Sequence, residues 1–143
     1  MGSVRKARPA VNRSGRHPVL AGTSILIVED EPLVALDTHA ALSATGASII
    51  SAATASEAVR LTGYADVTAA IVDIQLGSED AAKVCDALAR RGIPFIFYTG
   101  RADKAALLTE WPDAPVIRKP AMPHDIVATL SALLASRIDP DVA

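Results

Sequence analysis

Four apolar runs, each stopping at a polar or charged residue, constrain this chain more than any other feature. Ile25-Leu26-Ile27-Val28 stops at Glu29-Asp30-Glu31, and Ala69-Ala70-Ile71-Val72 stops at Asp73. Ile93-Pro94-Phe95-Ile96-Phe97-Tyr98 stops at Thr99, and Pro115-Val116-Ile117 leads to Lys119. Short unbroken apolar runs read as strands buried on both faces. From Ser24 onward they alternate with helical patterns, which is the rhythm of βαβ units and a parallel sheet. In such a sheet the C-terminal strand ends share one edge, where α/β proteins bind their ligands. Carboxylates, a hydroxyl and a lysine then converge on one pocket. That set suits a divalent cation and a phosphoryl group.

The full pattern predicts five strands and five helices. The strands are expected at 24–28, 48–52, 69–72, 95–98 and 116–118. Pro32 opens the first helix and Gly46 lies just past its end. Leu33, Leu36, Ala40 and Ala44 are expected to form its inward face. Thr54 and Glu57 have capping-box spacing and open the second helix, which stops near Gly63. The third helix follows Ser78 and ends at Arg90-Arg91-Gly92. The fourth is expected over about 102–110, and the fifth over about 123–136 with Ile126, Val127, Leu130, Leu133 and Leu134 inward. Crossovers of this kind are right-handed. The flavodoxin-like doubly wound (βα)5 sheet with order 2-1-3-4-5 is the common solution. It makes the first and third strands neighbours, and so brings Asp30 beside Asp73.

Composition narrows the function. Half the residues are hydrophobic but only 3% are aromatic, so Ala, Val, Ile and Leu must build the core. No apolar run approaches the ~20 residues of a membrane span. A single cysteine, Cys85, excludes an internal disulfide and fits a reducing, cytoplasmic setting. His17, His39 and His124 lack metal-ligand spacing. Five of the 14 basic residues fall in residues 1–20, which contain no acid. That segment is read as a disordered basic tail, and residues 21–143 as one domain. The 24 residues after Lys119 are expected to form one helix, and no output domain is expected.

At the strand ends the residues resemble a response-regulator receiver domain, over residues 24–136. Ile-Leu-Ile-Val-Glu-Asp-Glu-Pro at 25–32 resembles the family's first-strand acidic motif, and Val-Asp-Ile-Gln-Leu at 72–76 its phospho-acceptor segment. Tyr-Thr-Gly at 98–100 and Arg-Lys-Pro at 118–120 resemble the signalling threonine and the Lys-Pro pair. The segment Gly-Ile-Pro-Phe-Ile-Phe-Tyr-Thr-Gly at 92–100 is similar to that of the FAT GUY receivers, often stand-alone regulators. Tyr98 departs from the alanine of their motif. Val116 stands where typical receivers carry a switch aromatic, and Gly77 where they carry a proline.

The resemblance implies a single-domain response regulator of bacterial two-component signalling. It accepts a phosphoryl group from a histidine kinase, of the HWE type in similar receivers, on Asp73. Thr99 and Lys119 hold phosphoryl oxygens. Asp30, Asp73 and the Gln75 backbone carbonyl bind Mg2+, with Glu29 reaching it through water. Arg101 and Gln75 flank the route of a hydrolytic water, and a cis Lys119–Pro120 bond aims the lysine into the pocket. The chain would catalyse only its own phosphorylation and dephosphorylation. Its output would pass through helix 4, strand 5 and helix 5 to an unnamed protein. No direct nucleic-acid or membrane contact is implied, and the chain would be a monomer or weak dimer. The alternatives are a phosphate sink for a shared kinase, or a Mg-dependent aspartyl-phosphate phosphatase. The phosphatase would want a second Asp where Gln75 stands.

Overall fold

The structure, a computed structural model, describes residues 19–64, 66–76, 78–100 and 105–137. Five strands alternate with five helices. They are β1 (Ser24–Val28), α1 (Pro32–Ser43), β2 (Ser48–Ala52), α2 (Ala55–Tyr64), β3 (Ala69–Val72), α3 (Ser78–Arg90), β4 (Phe95–Thr99), α4 (Ala105–Glu110), β5 (Val116–Arg118) and α5 (Pro123–Arg137). A single 3-10 turn, Ile74–Leu76, joins β3 to α3. All pairings are parallel, and the strand order is β2-β1-β3-β4-β5, as expected.

Period-2 alternation along the strands feeds two cores. Leu26, Val28, Ala70, Val72, Phe95 and Phe97 face Ala58 of α2, Val84, Cys85 and Leu88 of α3, and Leu107 of α4. Ile25, Ile27, Ala69, Ile71, Ile96 and Tyr98 face Leu42 of α1 with Ile126 and Leu130 of α5. Because both faces are covered, β3 is buried at every position. The few aromatics cluster at one end, where Phe95 meets Phe97 and Trp111 edge-on at 5.6 and 6.2 Å between ring centroids.

Local chemistry sets the helix ends. Glu57 N–H donates to Thr54 Oγ1, while the Glu57 carboxylate accepts from Ala53 N–H, a capping box displaced by one residue. Gly46 (φ 91°) and Gly92 (φ 69°) end α1 and α3 in the left-handed region. After Gly92, Ile93 N–H returns to Leu88 C=O.

Helix α1 departs from expectation. Leu33 and Leu36 are 76% and 63% exposed, Ala40 is exposed, and Ala44 is only half-buried. The buried stripe is Thr38 and Leu42, flanked by half-buried Val34, Ala35 and Ala41. Apolar residues surround this helix, so spacing alone offered two stripes. Thr38 can go inward because its hydroxyl donates to Val34 C=O at 2.9 Å. Leu20, assigned to the tail from sequence, is also buried, and its N–H donates to Thr45 C=O. The rest of that tail, residues 1–18, lies outside the described residues, as do Gly77 and Arg101. The described part of the fourth helix starts at Ala105.

Candidate functional site

Each candidate group sits at or just beyond a strand C-terminus, held there by the ladder itself. Glu29 N–H donates to Ala52 C=O, Asp73 N–H to Val28 C=O, and Lys119 N–H to Thr99 C=O at 2.8 Å. These bonds extend the sheet one residue past each apolar run. They carry three functional residues into the core's rim, where side-chain placement is fixed by backbone pairing.

The centre is an ion-pair cluster. Lys119 Nζ lies 2.8 Å from Glu29 Oε1 and 3.2 Å from Asp73 Oδ2. Glu29 and Asp73 are 5% and 2% exposed. Their second oxygens accept backbone N–H groups: Glu31 to Glu29 Oε2 at 3.2 Å, and Gln75 to Asp73 Oδ1 at 2.9 Å. Carboxylate oxygens of Glu29, Asp30 and Asp73 all lie within 4.8 Å of one another. Asp30 is exposed at the mouth, and Thr99 is fully buried at the end of β4. Gln75 is exposed, and its side-chain oxygen is 3.5 Å from where a Cβ on Gly100 would stand. The Lys119–Pro120 bond is cis.

Burial pushes the Glu29 carboxyl up to about 7. Lys119 opposes that rise, while the neighbouring Asp73 carboxylate adds to it. Burial works against the Lys119 ammonium, but Glu29 and Asp73 outweigh it and raise its pKa. One ammonium therefore fails to compensate the carboxylates it serves, and the cluster favours an added proton or cation. The chemistry of the donor set fits Mg2+: hard oxygen ligands, two buried and one at the mouth.

Sequence reasoning brought Glu29, Asp30, Asp73, Thr99 and Lys119 to one edge, and the structure gathers them there. It missed two features. Tyr98 reaches across to the β5–α5 loop, its hydroxyl accepting Ala121 N–H at 3.2 Å. Exposed Leu33, Leu36 and Met122 flank the pocket-bearing loops; the intact apolar character of α1 was the available signal. Away from this edge, Cys85 is buried, and burial lifts its thiol to about 12, which leaves it inert. A cavity of about 500 Å3 under Trp111, lined by Ile93, Phe95 and Leu133, adjoins the first residue of β4, the end of that strand away from the acidic cluster.

Comparison with known proteins agrees with this geometry. The chain is 36% identical over 137 residues to the phyllosphere-induced regulator PhyR of Methylorubrum extorquens. That match takes in 92% of this chain but 51% of PhyR, so the chain spans about half the length of this curated relative. A CheY-like receiver from Methanospirillum hungatei superposes with a TM-score of 0.71 at 26% identity, covering 79% of this chain and 94% of that one. The receiver domain of a sensor histidine kinase from Pseudomonas aeruginosa, with magnesium in its active site cleft, gives 0.70 at 24%, covering 81% and 100%. Residues 25–131 match the response regulator receiver domain, and the chain belongs to that family.

Proposed function

We propose that the chain receives a phosphoryl group from a histidine kinase on Asp73. The observation that carries this is the Lys119 ammonium bridging Glu29 and Asp73 beside a third carboxylate. An Asp73 oxygen attacks phosphorus as the phosphohistidine P–N bond breaks. The imidazole leaves with that electron pair and takes a proton, and an aspartyl phosphate remains. Gln75 N–H holds Asp73 Oδ1 in place throughout. Lys119 transfers its contact to a phosphoryl oxygen, and the Thr99 hydroxyl donates to another. Asp30, Asp73 and the Gln75 carbonyl, with Glu29 through water, would hold Mg2+. Bound there, it would neutralise charge on the transferring group. The magnesium in the Pseudomonas aeruginosa receiver supports this reading.

The exposed leucines of α1 suggest how the kinase docks. Leu33 and Leu36, in the first turns of α1 after the Glu29–Glu31 segment, and Met122, three residues past Lys119, are all exposed. A helical kinase segment carrying phosphohistidine would seat there. Its identity as an HWE-type kinase rests on the resemblance of residues 92–100. Output passes through α4, β5 and α5, without an aromatic rotamer switch at Val116. Intact mass after acetyl phosphate treatment is the test: one phosphoryl adduct, lost in Asp73→Asn. An undiminished adduct in that variant refutes the assignment.

A further inference from the structure

Tyr98 departs from the motif that its surroundings resemble, and its position explains why it matters. It precedes Thr99 on β4, so its side chain points to the opposite face of the sheet from Thr99. There it is 7% exposed, packed with Ile117, Ala121 and Ile126. Its hydroxyl accepts the Ala121 N–H at 3.2 Å, 23 residues away in sequence. Its ring centroid lies 5.7 Å from Lys119 Nζ. One side chain thus holds the loop two residues past Lys119 and borders the ammonium itself.

The loop has few other ties. Lys119 N–H donates to Thr99 C=O, and Met122 C=O accepts from Asp125 and Ile126 as α5 begins. Pro120 has no N–H to give. Ala121 N–H is the next donor after Lys119 along this loop, and Tyr98 takes it. The lysine stem is long and flexible, so its aim depends on where this loop sits. A cation within about 6 Å of an aromatic ring is also attracted to it. Both contacts fix the ammonium toward the carboxylates.

We propose that Tyr98 is a positioning residue for Lys119, setting the ammonium for the phosphoryl oxygen through the Ala121 hydrogen bond and the ring beside it. The inference rests on the phospho-acceptor reading above. It predicts a division of effects. Lys119 contacts the transferring group, whereas Mg2+ is held by the carboxylates. Loosening the lysine should slow phosphorylation while leaving Mg2+ affinity unchanged or tighter, since a competing cation is released. A merely structural loss would lower both with the melting temperature.

The test compares wild type, Tyr98→Phe and Tyr98→Leu. Phosphorylation by acetyl phosphate is timed at saturating Mg2+, and Mg2+ affinity is titrated separately. Amine acetylation read by mass spectrometry follows Lys119, with exposed Lys83 as internal reference. Tyr98→Phe keeps the ring and removes the acceptor. It should slow phosphorylation by roughly fivefold, the size of one neutral hydrogen bond. Tyr98→Leu should slow it further. Lys119 should become more reactive in both, with Mg2+ affinity kept. A wild-type rate and unchanged Lys119 reactivity in Tyr98→Phe overturn the proposal, as does a parallel loss of Mg2+ affinity and melting temperature. If the wild type takes no phosphate, the phospho-acceptor reading fails by itself. Lys119 reactivity then decides the positioning role alone.

Discussion

Replacing Lys119 with methionine should destabilise the protein by an amount that grows with pH. The ammonium bridges two buried carboxylates, 2.8 Å from Glu29 and 3.2 Å from Asp73. Removing one member of a buried ion pair costs about 3–5 kcal/mol, because the remaining charge is stranded. Each carboxylate here keeps one backbone N–H. The lower end applies, about 3 kcal/mol near pH 8. At about pH 5.5 the loss should fall to about 1–2 kcal/mol, because Glu29 then carries a proton and leaves no stranded charge. Glu29, raised to about 7, is already neutral there in the folded wild type.

The sign follows from proton linkage. Folded Glu29 holds its proton up to about 7, against an ordinary 4.5. Its contribution to stability is full below the ordinary value and is lost as pH rises through about 7. Lys119 is raised too, so its contribution is full below the ordinary 10.5 and is lost only above it. The ammonium therefore stays charged across the assay, and the pH dependence belongs to Glu29. Without the ammonium, Glu29 loses a contact that lowers it, and the decline extends to higher pH. Urea unfolding at both pH values reads the difference directly. Thermal melts should show about 4 °C per kcal/mol for a domain of this size. A loss under about 1 kcal/mol near pH 8, or equal losses at both pH values, would refute the coupling of Lys119 to a buried charged pair.

Three further outcomes are expected. Mg2+ should raise the melting temperature relative to EDTA, since ligand at about 100 times its dissociation constant adds about 2.7 kcal/mol; Asp30→Ala should erase the difference, and identical wild-type melts would count against the metal site. Leu36→Asp, at a 63% exposed position, should leave stability within about 0.5 kcal/mol and acetyl phosphate labelling unchanged. Kinase-dependent transfer should fall at least tenfold in that variant, and equal transfer would clear α1 of a docking role. Beryllofluoride should increase hydrogen-exchange protection in residues 100–112, around α4; silence there with changes confined to α1 and α5 would send the signal by another route.

The strand ends were legible because a parallel sheet obeys one rule: successive apolar runs finish on the same edge. That rule alone placed Glu29, Asp73, Thr99 and Lys119 together. The contacts among them were less legible. Lys119 pairs more closely with Glu29 than with Asp73, and Glu29 was expected to act through water. The Tyr98–Ala121 bond spans 23 residues. It depends on the path of a loop, which carries no periodicity to read. Expected helix boundaries fared best where glycine or capping chemistry marked them, as at Gly46 and Thr54.

The error in α1 has a different origin, and it bears on function. Periodicity identifies a buried face only when the opposite face is polar. In α1, Leu33 and Leu36 lie on one side, while Val34 and Leu42 lie on the other. The sheet can cover only one of these, and the Val34–Thr38–Leu42 stripe was taken. Burying Leu33 and Leu36 instead would have given up Leu42, which is wholly enclosed against Ile25 and Ile27. The uncovered leucines gain nothing for the fold, and exposed leucines invite association. They begin two residues after Glu31, whose N–H holds the Glu29 carboxylate. An apolar surface tied so closely to the pocket has a use only when something with a complementary face comes to it. The ambiguity that defeated the periodicity argument and the surface proposed above for kinase docking therefore have one cause: a helix apolar on both sides, of which the core covers one.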